Sequence, residues 1–432
     1  MRAGVVGRAV VVAVLGGTAA LACSDLLELP PGPTADTRPV AARTLSPLPD
    51  VPPDPTNAVA DNADAAKLGQ MLFFDKSFSG QINVAATVDD GALGAQGESG
   101  RISCASCHMG AALDDRRSKP GNVSLGTGYG TRRALPLVNA SFYTWSNWGG
   151  RFDSQWSLAL SVAENDKPGI MSGTRLQIVH AIYAKYKAEY EAIFPALDPR
   201  LDPSSPRAAD FPPSGKPTMP AYDQMVMADR LIVDTIYANY GKAIAAYLRL
   251  LVSRDSAFDK YAAGDTTAIS ESAQRGLGVF TGKGACIGCH NGPHFSDGEF
   301  HALGVPQTGL HVPAQDFGRF NDLGALIASK PAGVDAGLAP PDPSLKGQFR
   351  TKSLRGVALN GPYMHAGQFA TLEDVVAFYN KGGGDPPPGV VKDAKLNALG
   401  LTPQESADLV ALLNTLTGAP VPPALTVDTS KP

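Results

Sequence analysis

The chain has 432 residues, with 37 Lys and Arg against 41 Asp and Glu and a formal net charge of −4. That length holds two or three ordinary domains, and the charge balance leaves no basic footprint for nucleic acid. The 46 Gly and 36 Pro point to long loops and away from a sheet-dominated fold.

Residues 1–23 read as an export signal. Arg2 and Arg8 flank the start of an apolar run, 9–22, that is too short to span a bilayer comfortably. Cys23 stands where a lipoprotein cysteine would, after Ala20-Leu21-Ala22. A lipid anchor is one reading; simple cleavage near Ala22 and an uncleaved anchor are the others. The expected location is periplasmic or exported. Residues 24–57 are Pro-rich and predict an extended tether, because proline lacks the N–H that a helix needs.

Ala58 to Phe74 has helical periodicity. A Gly-rich loop follows to Gly100, and residues 109–150 show no clear period. Arg175 to Phe194 predicts an amphipathic helix. Pro195 to Pro220 holds eight prolines among 26 residues and predicts a loop. Tyr222 to Val252 predicts a long helix with a break near Gly241, and Ser270 to Phe280 a short one. Gly304 to Gly347 predicts a long loop. Thr371 to Asn380 and Thr402 to Leu416 close the chain as helices. The last is signalled by Thr402 as N-cap, Pro403 at the first helical position and Glu405 at the third.

Five cysteines are present. Cys23 belongs to the leader region. The other four form Cys104-Ala105-Ser106-Cys107-His108 and Cys286-Ile287-Gly288-Cys289-His290, so none remains for a structural disulfide. Cys-x-x-Cys-His is the spacing of c-type haem attachment. Two thiols on one turn add across the two vinyl groups, and the adjacent imidazole ligates iron. A Cys2His2 zinc site assembled across both motifs is the rival, but two such motifs in an exported chain favour haem. The order helix, motif, long loop, helix occurs twice, as LGQMLFF…ISCASCH and RGLGVFTGKGACIGCH. This predicts a duplicated cytochrome c-like unit. The expected fold is mainly α: two cytochrome c-like domains, residues 58–255 and 256–420, each with one covalent haem and long loops. Residues 421–432 are expected to form a tail, and the active site to lie toward the domain interface.

The sixth coordination position decides between electron carriage and catalysis. No histidine lies between His108 and His180, and Met109 and Met171 are the only methionines there. Met109 adjoins the proximal His and cannot easily reach the opposite face. An open iron at the first motif is therefore expected, with His180 as the side chain that would close it.

Residues 58 to 418 resemble the di-haem cytochrome c peroxidase / MauG family. The resemblance is carried by LGQMLFFDKSFSG with ISCASCH, by GKGACIGCHNGPHFSDGEFHALGVP, and most specifically by FRTKSLRGVALNGPYMHAGQFATLEDVVAFYN, Phe349 to Asn380. It implies a peroxidatic haem on Cys104, Cys107 and His108. It also implies an electron-transfer haem on Cys286, Cys289 and His290. The family's distal ligand of the second haem lies fourteen residues after the signature His365, which places it at Tyr379. Cytochrome c peroxidases proper carry Met there and MauG-type members Tyr; Met364 is the competing ligand. A hard phenolate lowers the potential of its iron relative to a thioether.

The family also places a calcium ion between the haems. The matching positions are the carbonyls of Asn360 and Pro362, with Asn122 as candidate side-chain ligand. It places a Gln and a Glu on the distal side of the first haem, flanking a Trp-Asp-Gly-Arg stretch. Here that stretch reads Trp148-Gly149-Gly150-Arg151, and the two positions fall near Asn147 and Ser157. Glu164 is the nearest acid downstream and the candidate catalytic base, and Gln155 could orient a water. Arg151 is a candidate for stabilising charge on peroxide or for pairing with a haem propionate. One of Trp145, Trp148 and Trp156 could fill the family's relay position between the haems.

The function implied is reduction of hydrogen peroxide to water, with electrons from a small cytochrome c or a cupredoxin. Two rivals stand beside it. One is a MauG-like oxidase that uses peroxide to withdraw electrons from Trp or Tyr of a protein substrate. The other is a non-enzymatic di-haem electron carrier.

Overall fold

The computed structural model describes residues 44–87, 90–115, 117, 119–165, 169–328 and 340–432. The leader and most of the predicted tether lie outside these residues. Helix α1 is Ala63–Phe74. It begins five residues later than the periodicity suggested, because the Asn62 side chain accepts from the N–H groups of Asp64 and Ala65 and so caps the helix there. α2 (Gln155–Glu164) starts at Ser154 and α3 (Arg175–Glu191) at Thr174, each capped by the hydroxyl. A short α4 (Pro220–Asp223) precedes α5 (Met227–Leu248). α6 (Ala257–Ala262) and α7 (Glu271–Thr281) lead to the second motif. Then come strand β1 (Phe300–Ala302), α8 (Arg319–Ala328) and β2 (Gln348–Arg350). α9 (Leu372–Asn380) and α10 (Pro403–Asn414) follow, both opened by a capping box, Thr371 with Asp374 and Thr402 with Glu405. β1 and β2 pair antiparallel, with Phe300 opposite Arg350 and Ala302 opposite Gln348.

The repeat seen in the sequence is a repeat of helix crossings. α1 crosses α5 at Gly69, where an added Cβ would lie 2.0 Å from the carbonyl oxygen of Ala243. α7 crosses α10 at Gly276, where it would lie 2.0 Å from the carbonyl oxygen of Asp408. Each glycine is followed four residues later by a core phenylalanine, Phe73 or Phe280, both 1 % exposed. Replacing either glycine by alanine forces the crossing apart. The expected cost is about 1–3 kcal/mol, read as a lowered denaturant midpoint of the holoprotein.

Three differences from the sequence reading have physical causes. α5 runs unbroken through Gly241, because that glycine admits the backbone of Trp156 in α2, 2.7 Å from where a Cβ would sit. Its role is close packing, not helix breaking. α8 lies inside the predicted loop 304–347, and α2 and α6 were not anticipated. The third difference is at the two ends of the described chain, which pack into the core.

Buried apolar residues form two main clusters. One joins Leu68 and Phe73 to Ile182, Tyr240 and Leu251. The other joins Phe258 and Phe280 to Val376 and Leu412. The ends cross over between them. Leu45, 0 % exposed and within the predicted tether, belongs to the second cluster, and Ser46 accepts a bond from Arg355 at 3.0 Å. Val421, in the predicted tail, belongs to the first cluster. Gln70 donates to the carbonyls of Ala424 and Val427 at 2.8 and 3.1 Å. Among the described residues no helix is long and apolar enough to cross a membrane.

Candidate functional site

Both Cys-x-x-Cys-His segments fold as the same turn. Cys104–Ser106 and Cys286–Gly288 are single 3-10 turns. The histidine N–H donates back to the first cysteine's carbonyl, at 3.0 Å for His108 and 2.8 Å for His290. The chain then bends at Gly110 and Gly292, φ +70° and +67°, and reaches Leu113 and Phe295 at φ +51° and +52°. A left-handed Leu or Phe is costly, of order 1 kcal/mol. What the turn gains is the bond from the histidine Nδ1–H to the carbonyl of that residue, 3.1 Å in both copies. With Nδ1 so engaged, Nε2 carries the lone pair and is free to ligate a metal. Burial lowers the pKa of both histidines, which keeps them neutral. None of the four motif cysteines is joined in a disulfide. Burial pushes Cys104 up to about 12 and Cys107 and Cys286 up to about 11. Leu113 and Phe295 were not singled out in the sequence; the shared glycine two places after each motif was the available signal.

The second motif opens on a cavity of about 650 Å³. Cys286, Cys289 and His290 line it together with Tyr379 from α9 and Met364. Burial, then the neighbouring Cys286 and Cys289, holds the Tyr379 phenol well above its ordinary pKa. Arg350 and Lys352 also line the cavity. Arg350 is 4 % exposed, lies over the Tyr143 ring at 3.4 Å, and its Nε and Nη1 have no hydrogen-bond partner among the described residues. Loss of solvent and the charge of Arg350 depress the Lys352 ammonium far below its usual range. Buried cations are costly unless paired. A haem, with two carboxylates on its rim and an iron for His290, matches this donor set. The residues present therefore fit that group.

His365 is 2 % exposed, stacks on Phe349 at 4.0 Å and meets Gln307 at 3.1 Å. Burial lowers its pKa to about 4. Of the three tryptophans, Trp148 lies in the cavity wall, edge-on to His365. Trp145 is 36 % exposed under Arg319, and Trp156 bonds to Thr56.

The calcium expectation needs correction. The carbonyls of Asn360 and Pro362 both accept from Arg133 Nη1, at 3.1 and 2.6 Å. Asn122 Oδ1 accepts from the N–H of Val123 at 2.8 Å. A guanidinium holds the oxygens that calcium would need, so these residues do not fit the ion.

The distal candidates also change. Glu164 Oε1 accepts from Arg175 N and Nε, and its Oε2 from Arg175 Nη2 at 2.8 Å. Its carboxylate is committed to an ion pair and does not stand free as a base. Gln155 donates to Ala140 O and Ser146 Oγ. Arg151 lies against the Phe152 ring and keeps a buried Nε without a partner. His180 Nε2 is engaged by the carbonyls of Phe211 and Pro212, at 3.1 Å each, away from any ligand role.

Two Cys-x-x-Cys-His turns of one geometry, set in a mainly helical fold, are what the c-type cytochrome class presents. Comparison with known proteins identifies the family. The family described as di-haem cytochrome c peroxidase matches residues 63–267. The cytochrome-c peroxidase IdrP1 of Denitromonas iodatirespirans is 33 % identical over 389 residues, 86 % of each chain. The chain belongs to the di-haem cytochrome c peroxidase family. It is also similar to the methylamine utilization protein MauG of Methylorubrum extorquens, 28 % identical over 82 % of this chain and 78 % of that one. Among solved structures, a MauG-like protein associated with microbial copper homeostasis aligns with a TM-score of 0.58 at 25 % identity. The alignment covers 88 % of this chain and 98 % of the other.

Proposed function

We propose that the protein is an exported di-haem peroxidase that reduces hydrogen peroxide to water, H2O2 + 2 e⁻ + 2 H⁺ → 2 H2O. Membership of the family makes it an oxidoreductase of the cytochrome-c peroxidase type, with haem c as the class of cofactor. The observation that carries the reading is the duplicated turn, in which Nδ1 of both His108 and His290 bonds to a backbone carbonyl and leaves Nε2 as the nitrogen that would ligate iron. Cys104, Cys107 and His108 hold the catalytic haem; Cys286, Cys289, His290 and Tyr379 hold the second. Bound haem supplies the iron that accepts electrons and cleaves the O–O bond of peroxide. His180 is tied to the loop after α3, which supports an open position at the first haem. Arg151 keeps a donor for a haem carboxylate or for charge developing on peroxide. Trp148, whose indole N–H donates to Arg133 O at 2.7 Å, is the tryptophan that the fold holds against the second cavity. It is the proposed relay. Arg350 and Lys352, which line the same cavity, would pair the second haem's carboxylates. The electron donor is a small cytochrome c or a cupredoxin.

Tyr379 and the similarity to MauG favour a second reading, oxidation of Trp or Tyr in a partner protein. Peroxide consumption in the presence of a reduced small cytochrome separates the two. Sustained, stoichiometric oxidation of the cytochrome is expected. No turnover with any small donor, together with slow peroxide use that oxidises Trp or Tyr in a partner protein, would replace the first reading with the second.

A further inference from the structure

Arg133 occupies the oxygen cage in which the family's calcium was expected. Its side chain is 4 % exposed. Nη1 donates to Asn360 O and Pro362 O, and Nη2 donates to Asp115 O at 2.5 Å. The Asp114 carboxylate, 0 % exposed, lies 3.5 Å from Nη2 and supplies the countercharge. Calcium would need these oxygens at 2.3–2.6 Å, a position the guanidinium already fills with like charge. The backbone of the same residue makes two further ties. Its N–H donates to His365 O at 2.7 Å, and its C=O accepts from Trp148 Nε1 at 2.7 Å. One residue therefore joins the loop just beyond His108, the tryptophan, and the loop carrying Met364 and His365.

We propose that Arg133 is a built-in replacement for the inter-haem calcium, and that this protein neither binds that ion nor responds to it. A guanidinium suits the place because its planar fork satisfies several carbonyls at once and it never deprotonates. The charge difference matters as well. A divalent ion beside Arg133 would add two positive charges next to a guanidinium already buried there.

The inference rests on the di-haem reading only for the calcium it displaces, and haem can be counted separately by the pyridine haemochromogen assay. The first measurement is elemental analysis of the holoprotein purified with calcium present and then dialysed against buffer without chelator. Less than about 0.1 calcium per chain is expected, together with unchanged haem spectra and unfolding midpoint on addition of EGTA or of millimolar calcium. About one calcium per chain, with haem spectra that shift when EGTA removes it, would overturn the proposal whether or not both haems are present. Fewer than two haems would count against the di-haem reading alone.

The second measurement uses Arg133→Asn, which exchanges the cation for a neutral oxygen donor. Calcium is expected to raise this variant's unfolding midpoint and to restore its haem spectra, while Arg133→Lys stays indifferent to the ion. A merely structural arginine would leave Arg133→Asn equally damaged with and without calcium, and that result would overturn the replacement role.

Discussion

Tyr379→Met raises the midpoint potential of the second haem by a few tenths of a volt, out of the roughly 0.8 V over which axial ligands move haem iron. The phenol stands in the wall of the same cavity as His290. Removed from water, it holds its proton far above the usual tyrosine range. With Tyr379 as the proposed ligand, ferric iron would take that proton's place, and the hard phenolate would favour the oxidised state. A thioether at the same position favours the reduced state. Potentiometric titration followed in the Soret band reads the change directly. Met364→Leu is the control and should leave the potential where it was. A shift below about 0.05 V in Tyr379→Met, or a large shift in Met364→Leu, would assign the ligand to Met364.

His108→Gly abolishes peroxide turnover by at least about a thousandfold, since loss of groups that merely orient a metal ligand already costs 10–100-fold. The second haem is expected to remain, with its spectrum unchanged. His108 is held neutral by burial, and its Nδ1 bonds to Leu113 O, which leaves Nε2 as the nitrogen to ligate iron. His290→Gly has the same local geometry to lose, and it should remove the low-spin signal of the second haem instead. Steady-state rates combined with electron paramagnetic resonance separate the two variants. Turnover in His108→Gly above a tenth of the wild-type rate would mean that catalysis resides elsewhere.

The parts of this architecture legible in the sequence are those written locally. The two motifs fix the attachment turns within five residues. Thr402-Pro403-Gln404-Glu405 announces α10 through its own capping box, and Thr371 with Asp374 does the same for α9. Gly241 misled because a glycine needed for close approach to α2 reads like one that ends a helix. Glu164 looked like a base because its partner Arg175 lies across a turn that periodicity does not describe. Arg133 was invisible for a stronger reason. Its partners Asn360 and Pro362 are 227 and 229 residues away, and nothing in a single sequence couples positions at that distance. The crossing at Gly69 was legible only as a repeated pattern, not as a contact.

The exchange of chain ends bears on the order in which the protein can be made. Residues 421–431 complete the first core: Gln70 bonds to Ala424 and Val427, and Tyr186 accepts from the N–H of Lys431 at 3.1 Å. A ribosome delivers those partners more than 350 residues after Gln70. The amino-terminal half therefore cannot close while the chain is still emerging, although domains generally fold in order of synthesis. The carboxyl-terminal half has Leu45 and Ser46 waiting for it from the beginning. It too needs Leu409 and Leu412 of α10, so neither core is complete until that last helix has been made.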